Sequence, residues 1–374
     1  MVRLGDVCSI NMGQSPASSS YNKIGKGIPF FQGNADFGKL HPTVRSWCNA
    51  PTKIAEQGDI LISVRAPIGA LNIANVQCCI GRGLAALTVN EKLCYEKYLW
   101  YALECKVDEL NSKGTGSTFK AINKKTLAET EISLPPLDEQ RRIAAVLDKV
   151  SGLIAKRRAQ LDKLEDLVKS RFVELFGGIH NSNKHPYKLV KELTNVISGG
   201  TPSRDISEYW EGGTIPWVKT TELQNNMIVE VEEYITEKGL NNSSAKIVPP
   251  GTVLIAMYGQ GKTRGMTAYL GIEACTNQAC ACILPSDKIN QTFLWQFLIL
   301  SYDNLRDMAK GGNQPNLNGN IIKNYPILYP PKELQEQFAA FVEQTDKSKV
   351  TIQQSLDKLE VLKKALMQQY FGQV

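Results

Sequence analysis

The second half of this sequence repeats the first, which restricts the chain to folds built from two similar modules. Leu161–Glu165 recurs as Leu356–Glu360, 195 residues later, and Phe176-Gly177 recurs as Phe371-Gly372 at the same spacing. Three further pairs keep that spacing: Leu99-Trp100 with Leu294-Trp295, Pro135-Pro136 with Pro330-Pro331, and Ala144-Ala145 with Ala339-Ala340. One constant spacing indicates that the rear part of each repeat carries no net insertion.

The front part of each repeat behaves differently, because its spacing drifts. The matches are Gly13–Pro16 with Gly199–Pro202 at 186 residues, Ile28–Phe30 with Ile215–Trp217 at 187, and Gly58–Ile62 with Gly251–Ile255 at 193. This drift predicts loops of different length on a shared scaffold. Such a pattern is expected of two modules that recognise different targets.

Each repeat opens with a region that mixes short strands and helices. Four runs are predicted to be buried strands: Ile60–Val64, Ala85–Val89, Val253–Met257 and Ala281–Leu284. Residues 95–110 and 293–305 place leucines on one helical face, and Asn290 is predicted to cap the second of these helices. The fold class predicted for each module is therefore mixed α/β (α+β).

A long helix is predicted after the Pro-Pro pair of each repeat. The first runs from Glu139 to Phe176, capped by Asp138 and ended by Gly177-Gly178, and the second runs from about Leu334 to Phe371. Apolar residues alternate at spacings of four and three, which is the seam of a coiled coil: Ile143, Leu147, Val150, Ile154, Leu161, Leu164, Val168 and Leu175, then Phe338, Val342, Ile352, Leu356, Leu359, Leu366 and Tyr370. We predict that the two helices pair with each other as an antiparallel coiled coil; a plain dimerisation zipper is the alternative.

Composition narrows the functional classes. The net charge of +6 is compatible with nucleic-acid binding without establishing it. No run of apolar residues is long enough to span a bilayer, and the first residues lack a signal-peptide core, so we expect a cytoplasmic protein with no membrane partner. The nine cysteines are odd in number and include no Cys-x-x-Cys pair, which favours reduced, buried thiols over disulfides or zinc.

The motifs that could carry catalysis are incomplete. Each Pro-Pro pair lacks the preceding Asn or Asp that an adenine methyltransferase needs, so methylation by this chain is not expected. Ala256–Thr263 looks like a phosphate loop, but alanine stands at its first glycine and no clear helix follows. The histidines His41, His180 and His185 have no repeated acid or nucleophile beside them, so neither metal binding nor acid–base catalysis is predicted.

The doubled layout of module and helix resembles the specificity subunits of Type I restriction–modification systems over the whole chain. The resemblance is carried by the junctions Leu134–Gln140 and Tyr329–Gln337, the strand motif Gly81–Leu87 and the loop Gly199–Ser203. One departure is that the second junction carries two extra residues between Pro-Pro and Glu-Gln, which leaves the start of the second helix open.

That resemblance implies a non-catalytic subunit that binds double-stranded DNA. Residues 1–138 and 179–333 would be target-recognition domains, each reading one half of a bipartite, asymmetric site, and residues 139–178 and 334–374 would be helices that set the spacer. A helix of ~38 residues spans ~57 Å, or roughly 17 base pairs. The implied partners are two modification subunits and restriction subunits, which would supply S-adenosylmethionine and ATP with Mg²⁺, while this chain holds no cofactor.

Polar loops that occur in both repeats are the candidates for DNA contact. Glycine lets backbone N–H groups approach phosphate, lysine supplies charge, and hydroxyl or amide side chains can bond to base edges. The candidates are Gln32, Asn34, Arg65, Lys113, Ser117, Thr118, Lys120, Lys219, Thr220, Lys262, Arg264, Lys310, Asn313 and Gln314. The alternatives are ordinary turns or a solvated hairpin, and Arg82 is interpreted as a structural residue within a strand.

Three rival functions remain at this point. A self-contained methyltransferase or nuclease would need a cofactor or metal site, and a protein-only coiled-coil adaptor would bind no specific DNA. A specificity subunit that serves a related system with a different effector is the third.

Overall fold

The chain forms two compact units that share the two long helices. The computed structural model describes residues 1–116, 120–180, 182–259, 261–309 and 316–372. The first unit comprises Met1–Arg158 with Gln354–Val374, and the second comprises Ala159–Gln353. Each unit therefore contains one module and one half of each long helix. The predicted domain boundaries at residues 138, 178 and 333 follow the helix ends instead and stay a prediction.

The first unit builds its module from short strands packed against helices. Its elements are β1 (Val2–Arg3), α1 (Leu4–Val7), β2 (Cys8–Met12), β3 (Tyr21–Asn22), β4 (Ile28–Phe31), β5 (Trp47–Cys48), β6 (Ile54–Ala55), β7 (Ile60–Ser63), β8 (Leu71–Ile73), β9 (Cys78–Ile80), β10 (Leu84–Val89), α2 (Glu96–Glu104), α3 (Val107–Ser112), α4 (Lys124–Ala128), β11 (Glu131–Ile132) and α5 (Leu137–Phe176). Two main sheets result, with strand orders β2-β10-β7-β8 and β3-β5-β4-β9-β6.

The second unit repeats this plan. Its elements are β12 (Tyr187–Leu189), α6 (Val190–Leu193), β13 (Val196–Ser198), β14 (Ile215–Val218), β15 (Asn226–Ile228), β16 (Glu233–Ile235), α7 (Glu237–Asn241), β17 (Val253–Ala256), β18 (Thr267–Leu270), β19 (Cys275–Thr276), β20 (Cys280–Ile283), α8 (Gln291–Leu300), α9 (Tyr302–Asp307), α10 (Gly319–Lys323), β21 (Pro326–Leu328) and α11 (Lys332–Phe371). Its main sheets have the orders β13-β20-β17-β18-β15 and β16-β14-β19.

The rear parts of the two units match element by element. Helices α2 to α5 and strand β11 begin 195 residues before α8 to α11 and β21. Asn123 and Asn318 cap α4 and α10 in the same way, because each side-chain oxygen accepts the backbone N–H three residues on. The predicted cap Asn290 is confirmed, since its side chain accepts the N–H of Phe293 at 3.0 Å. The mixed α/β class and the tandem repeat are thus confirmed.

The two long helices are confirmed, with one correction to where they start. They begin at Leu137 and Lys332, two residues before the predicted starts, because the carbonyl groups of Pro136 and Pro331 already accept the first helical hydrogen bonds, from Gln140 and Gln335. Gly177 ends the first helix as predicted; its φ of +81° suits glycine, and its N–H reaches the carbonyl of Val173.

The helices pair in antiparallel fashion. In the first unit, Ile143 and Leu147 near the start of α5 share a core with Leu366 and Phe371 near the end of α11. In the second unit, the ring of Phe338 near the start of α11 lies 5.4 Å and 5.6 Å from Phe172 and Phe176 near the end of α5. The predicted seam residues Val150, Ile154, Val342 and Leu356 are buried, and Leu161, Leu164, Ile352, Leu359 and Tyr370 are half-buried.

The seam differs from a coiled coil at the end of α5. Phe172 and Phe176 are fully buried, although the heptad pattern omitted them, and Leu175, which it included, packs only at the edge of this core. The reason is that α5 packs against α8 as well as α11: the Phe176 ring lies 5.1 Å from that of Phe293. A helix with two partners buries a wider face than a heptad seam.

A buried glutamine ties each long helix to its module. Gln140 is fully buried; its Oε1 accepts the N–H of Tyr95 at 2.8 Å, and its Nε2 donates to the carbonyls of Leu93 (3.0 Å) and Pro135 (2.8 Å). Gln335 is its counterpart 195 residues later, accepting the N–H of Asn290 at 2.9 Å and donating to Pro330 at 2.8 Å. Each glutamine thus joins the start of a long helix to the start of α2 or α8.

This pair also corrects the alignment of the two junctions. The sequence match paired the dipeptides Glu139-Gln140 and Glu336-Gln337, which implied two extra residues in the second copy. The hydrogen bonds instead make Gln335 the equivalent of Gln140, so the second junction holds no insertion. The error arose because the Glu-Gln dipeptides were aligned by residue type alone. The buried glutamines Gln140 and Gln335 are the residues that form equivalent hydrogen bonds in the two copies.

Replacing the buried glutamine should destabilise the first unit. In Gln140→Ala, the Tyr95 N–H and two carbonyls lose their partner in a buried place, so we expect the free energy of unfolding to fall by about 2–4 kcal/mol. Gln335→Ala should cost less, because fewer hydrogen bonds are lost. Urea unfolding measures both. Gln344→Ala, at an exposed position of α11, is the control, and an equal effect there would contradict this role.

The cysteines yield a second test. Eight of the nine thiols are buried and free, and Cys105 is exposed. Burial raises the pKa of Cys8, Cys78 and Cys94 to about 12, which keeps them protonated. We expect one thiol per native chain to react quickly with a thiol reagent, increasingly as the pH rises since burial also raises the pKa of Cys105. Cys105→Ser should abolish this fast phase; a fast phase that survives would show that a buried thiol is accessible.

Candidate nucleic-acid interface

In the first unit, several loops meet at one edge, where strands β2, β4, β7 and β9 end. Backbone hydrogen bonds join them: Gly13 N–H to Leu84 (2.9 Å), Gly83 N–H to Gln32 (3.1 Å), Val64 N–H to Gly83 (2.9 Å) and Ala66 N–H to Lys120 (3.1 Å). Glycine is required at position 83, since a Cβ there would lie 2.5 Å from the carbonyl oxygen of Gln32. We call this surface the Arg82 edge, and its members are Gln14, Gln32, Arg65, Arg82 and Lys120.

The side chains of the Arg82 edge are exposed, and three of the five carry a positive charge. Within the described ranges, Arg65, Arg82 and Lys120 form no ion pair with a carboxylate. The nearby Asp36 is occupied, because its carboxylate accepts the backbone N–H of Gln32 at 2.8 Å. The edge therefore offers uncompensated cations beside amide side chains, which suits contact with phosphate and base edges.

The second unit builds the equivalent edge with other side chains. Asn277 N–H donates to Val218 (3.0 Å), Met257 N–H to Ala279 (2.8 Å) and Leu317 N–H to Met257 (3.0 Å). The first-unit counterparts are the bonds from Gly81 to Phe31 (2.8 Å), from Val64 to Gly83 (2.9 Å) and from Ile122 to Val64 (2.9 Å). We call this surface the Gln278 edge, and its members are Thr201, Lys219, Thr220, Tyr258 and Gln278. Gln278 and Tyr258 are exposed, and the Thr201 hydroxyl donates to the side-chain carbonyl of Gln278.

The charge of Lys219 is balanced inside the protein. Its Nζ lies 2.6 Å from a carboxylate oxygen of Glu232 and 3.0 Å from one of Glu233. The hydrogen bond to Glu232, and to a smaller extent that to Glu233, raises the pKa of Lys219, so the amine stays protonated. Thr220 lies beside it, half-buried, and its hydroxyl oxygen is 3.5 Å from the side-chain nitrogen of Asn277. The two edges therefore share a scaffold and differ in charge.

Aromatic side chains hold the loops that carry these polar groups. Arg204 lies over the ring of Trp210, 3.6 Å from its centre, and donates to Glu233 at 2.6 Å. The indole of Trp217 donates to the carbonyl of Gly200 at 2.9 Å, which fixes the loop before Thr201. In the first unit, Tyr21 and Phe30 stack at 4.6 Å, and the Tyr21 hydroxyl donates to Pro16 at 2.8 Å. Both loops are thus held close to their sheets.

The remaining candidates lie beside these edges or outside the described residues. Asn34 is half-buried in a short 3₁₀ turn, and Lys113 is exposed but paired with Glu109 at 2.5 Å. Lys262 is exposed and Arg264 half-buried in the connection from β17 to β18. The candidates Ser117, Thr118, Lys310, Asn313 and Gln314 lie outside the described residues.

The loop that looked like a phosphate loop connects two strands. β18 begins at Thr267, shortly after Thr263, so strand follows loop where a phosphate loop leads into a helix. The Tyr302 hydroxyl donates to the carbonyl of Lys262 at 2.7 Å, and the Arg306 guanidinium donates to that of Arg264 at 2.8 Å. The loop is thereby packed against α9.

Sequence reasoning missed five members of the two edges: Gln14, Arg82, Thr201, Tyr258 and Gln278. The prediction that Arg82 lies inside a strand was wrong: it lies exposed in the turn between β9 and β10. The signal was present in Gly81-Arg82-Gly83, because glycine on both sides allows the backbone to pack closely while the middle side chain points outward. Gln278 could be found only by aligning it with Arg82.

Two properties of the described residues concern metal binding and membrane insertion. Histidine, cysteine and acidic side chains form no group of three that could hold a metal ion in the described ranges. None of the described helices combines the length and the apolar character needed to cross a bilayer.

Known proteins resemble this chain in both sequence and fold. The family described as "Type I restriction modification DNA specificity domain" matches residues 1–166 and 185–363. The putative type I restriction enzyme MjaX specificity subunit of Methanocaldococcus jannaschii is 46% identical over 156 residues, which span 42% of this chain and 37% of that protein. The MjaIX specificity subunit of the same organism is 22% identical, and the match spans 98% of this chain and 90% of that protein.

One solved structure supports the fold. The S subunit of a Type I restriction–modification system from M. genitalium superposes with a TM-score of 0.64 at 16% identity, covering 100% of this chain and 96% of that one. At this identity the match concerns the fold alone.

Proposed function

Because the chain belongs to the family of Type I restriction–modification DNA specificity domains, with one match in each repeat, we propose that it reads DNA sequence for a Type I complex and catalyses no reaction itself. The observation that carries this proposal is the pair of edges. Equivalent backbone frameworks present different polar side chains in the two units, as two readers of different half-sites require.

The finer parts of the proposal concern the site and the partners. Since the Arg82 edge and the Gln278 edge differ in charge and side chains, the bipartite site is asymmetric. The long helices, each 40 residues, set the spacer between half-sites and dock two modification subunits. Those subunits use S-adenosylmethionine, and restriction subunits use ATP and Mg²⁺. The protein acts in the cytoplasm, where the DNA is.

The rival functions make different demands. A self-contained methyltransferase or nuclease would modify DNA without a partner. A coiled-coil adaptor would bind proteins and show no preference among DNA sequences. The uncompensated cations of the Arg82 edge favour the DNA-reading function over the adaptor.

Methylome sequencing tests the proposal directly. A host without Type I methylation would express this chain with a modification subunit of the same system, or each protein alone. We expect a split, non-palindromic adenine motif only when both are present. Methylation by this chain alone would overturn the non-catalytic assignment. If no host gains methylation and the purified complex binds all duplexes equally, the adaptor function replaces this one.

Salt dependence tests the contact surface. Arg65→Gln and Lys120→Gln each remove one uncompensated charge, so each should weaken DNA binding and reduce the slope of log affinity against log salt by about 1. Lys92→Gln is the matched control, since this exposed lysine follows β10 at the opposite end from the Arg82 edge. Titrations of the complex at several salt concentrations measure the slopes. Equal slopes for all three variants would place the DNA elsewhere.

A further inference from the structure

We propose that Arg82 and Gln278 are equivalent base-reading residues, with Arg82 selecting guanine in one half-site and Gln278 selecting adenine at the corresponding position of the other. This inference rests on the proposed function, because it names the side chains and bases through which the two units differ.

The two residues occupy the middle of the same three-residue turn. Before them, the N–H groups of Gly81 and Asn277 donate to the strand-end residues Phe31 (2.8 Å) and Val218 (3.0 Å). Each turn closes in the same way, from Leu84 N–H to Gly81 at 3.0 Å and from Cys280 N–H to Asn277 at 3.1 Å.

The residue after each turn centre makes a third shared link. The carbonyl of Gly83 accepts the N–H of Val64 at 2.9 Å, and that of Ala279 accepts the N–H of Met257 at 2.8 Å. Hydrogen bonds on both sides hold each turn to neighbouring loops. A side chain at the centre therefore leaves a fixed backbone position in either unit, and the two positions correspond.

Neither side chain takes part in holding the fold. Both are exposed, and within the described ranges the guanidinium of Arg82 has no hydrogen-bond or carboxylate partner. The Gln278 side chain has one polar contact there, in which the Thr201 hydroxyl donates to its carbonyl oxygen. That contact orients the amide group while leaving the carbonyl a second lone pair and the NH₂ group two donors. Thr201 is thus a positioning residue.

The two side chains read different bases. Arginine donates two hydrogen bonds to the O6 and N7 acceptors of guanine, whereas glutamine accepts from N6 and donates to N7 of adenine. One such bidentate pair discriminates against the wrong base by roughly ten- to a hundredfold. A rigid turn favours this use over phosphate binding, because a bidentate pair requires fixed geometry. Exchanging the two side chains should therefore exchange the bases.

The test exchanges the residues in the complex with its modification subunit. In Arg82→Gln, we expect one guanine of one half-site to be replaced by adenine in the methylome motif, while the other half-site is unchanged. In Gln278→Arg, one adenine of the other half-site should become guanine. In Thr201→Val, the same position should become less selective, at least fivefold, without a change in the preferred base.

Arg3→Gln is the control, because this exposed arginine lies in β1, before the start of β2 and away from the Arg82 edge. Its motif should match that of the unaltered protein. If Arg82→Gln lowers methylation at all sites equally and leaves the motif unchanged, Arg82 contacts phosphate and the inference is overturned. The inference is also overturned if the methylome motif of the unaltered protein has no guanine in the half-site that the first unit reads.

Loss of all methylation in an exchange variant is resolved by binding. The variant's melting temperature shows whether it is folded, and competition with duplexes that carry guanine or adenine at each position gives its base preference. An unchanged preference overturns the inference, and an exchanged one supports it. Arg82→Lys serves if Arg82→Gln is unfolded, with reduced guanine preference expected and an unaltered preference counting against it. The unaltered complex is measured in the same experiment. If the proposed function is wrong, the unaltered complex gives no split motif; if only this inference is wrong, the split motif is present.

Discussion

The structure depends on how each long helix is fixed to its module, and one buried amide does this in each copy. Gln140 and Gln335 bring a donor and an acceptor into the junction after the Pro-Pro pair, where backbone groups would otherwise be buried without partners. Because a side-chain amide satisfies both kinds of group, it fixes the direction in which the helix leaves. A hydrophobic residue of similar size would pack there without setting that direction.

The repeat divides into a part that resists insertion and a part that accepts it, and the division has a physical basis. In the rear part of the first copy, α2 to α5 contribute to one core and Gln140 links the start of α5 to the start of α2, so an added residue would shift these contacts. In the front part, backbone hydrogen bonds such as that from Gly83 to Gln32 hold the loops only where they leave the strands. Beyond these points the loops can vary in length at little cost in loop-closure entropy. The fold keeps the scaffold constant while the surface side chains differ.

Much of this architecture was predictable from the sequence, because hydrophobic periodicity is a local signal and the repeat can be read directly from matching residues. The helix pair, the strands around Ile60 and Val253 and the cap Asn290 all follow from spacing within a short window. The burial of Phe172 and Phe176 did not, since it depends on α8, which lies more than a hundred residues away in the sequence. Arg82 was misread for the same reason: whether a Gly-Arg-Gly segment is strand or turn depends on distant loops. The helix starts and the junction alignment needed the hydrogen bonds of Gln335.

The sharing of helices between units has a consequence for how the protein is made. The core of the first unit includes Leu366 and Phe371, and the ring of Phe371 lies 5.2 Å from Tyr98. A nascent chain that has left the ribosome only as far as Phe176 therefore cannot complete its first core. Until Leu366 and Phe371 have been translated, part of the apolar surface of α2 and α5 stays uncovered and can associate with other apolar surfaces. The module that is translated first therefore completes its core only after the second module has been translated, so the order of completion differs from the order of translation.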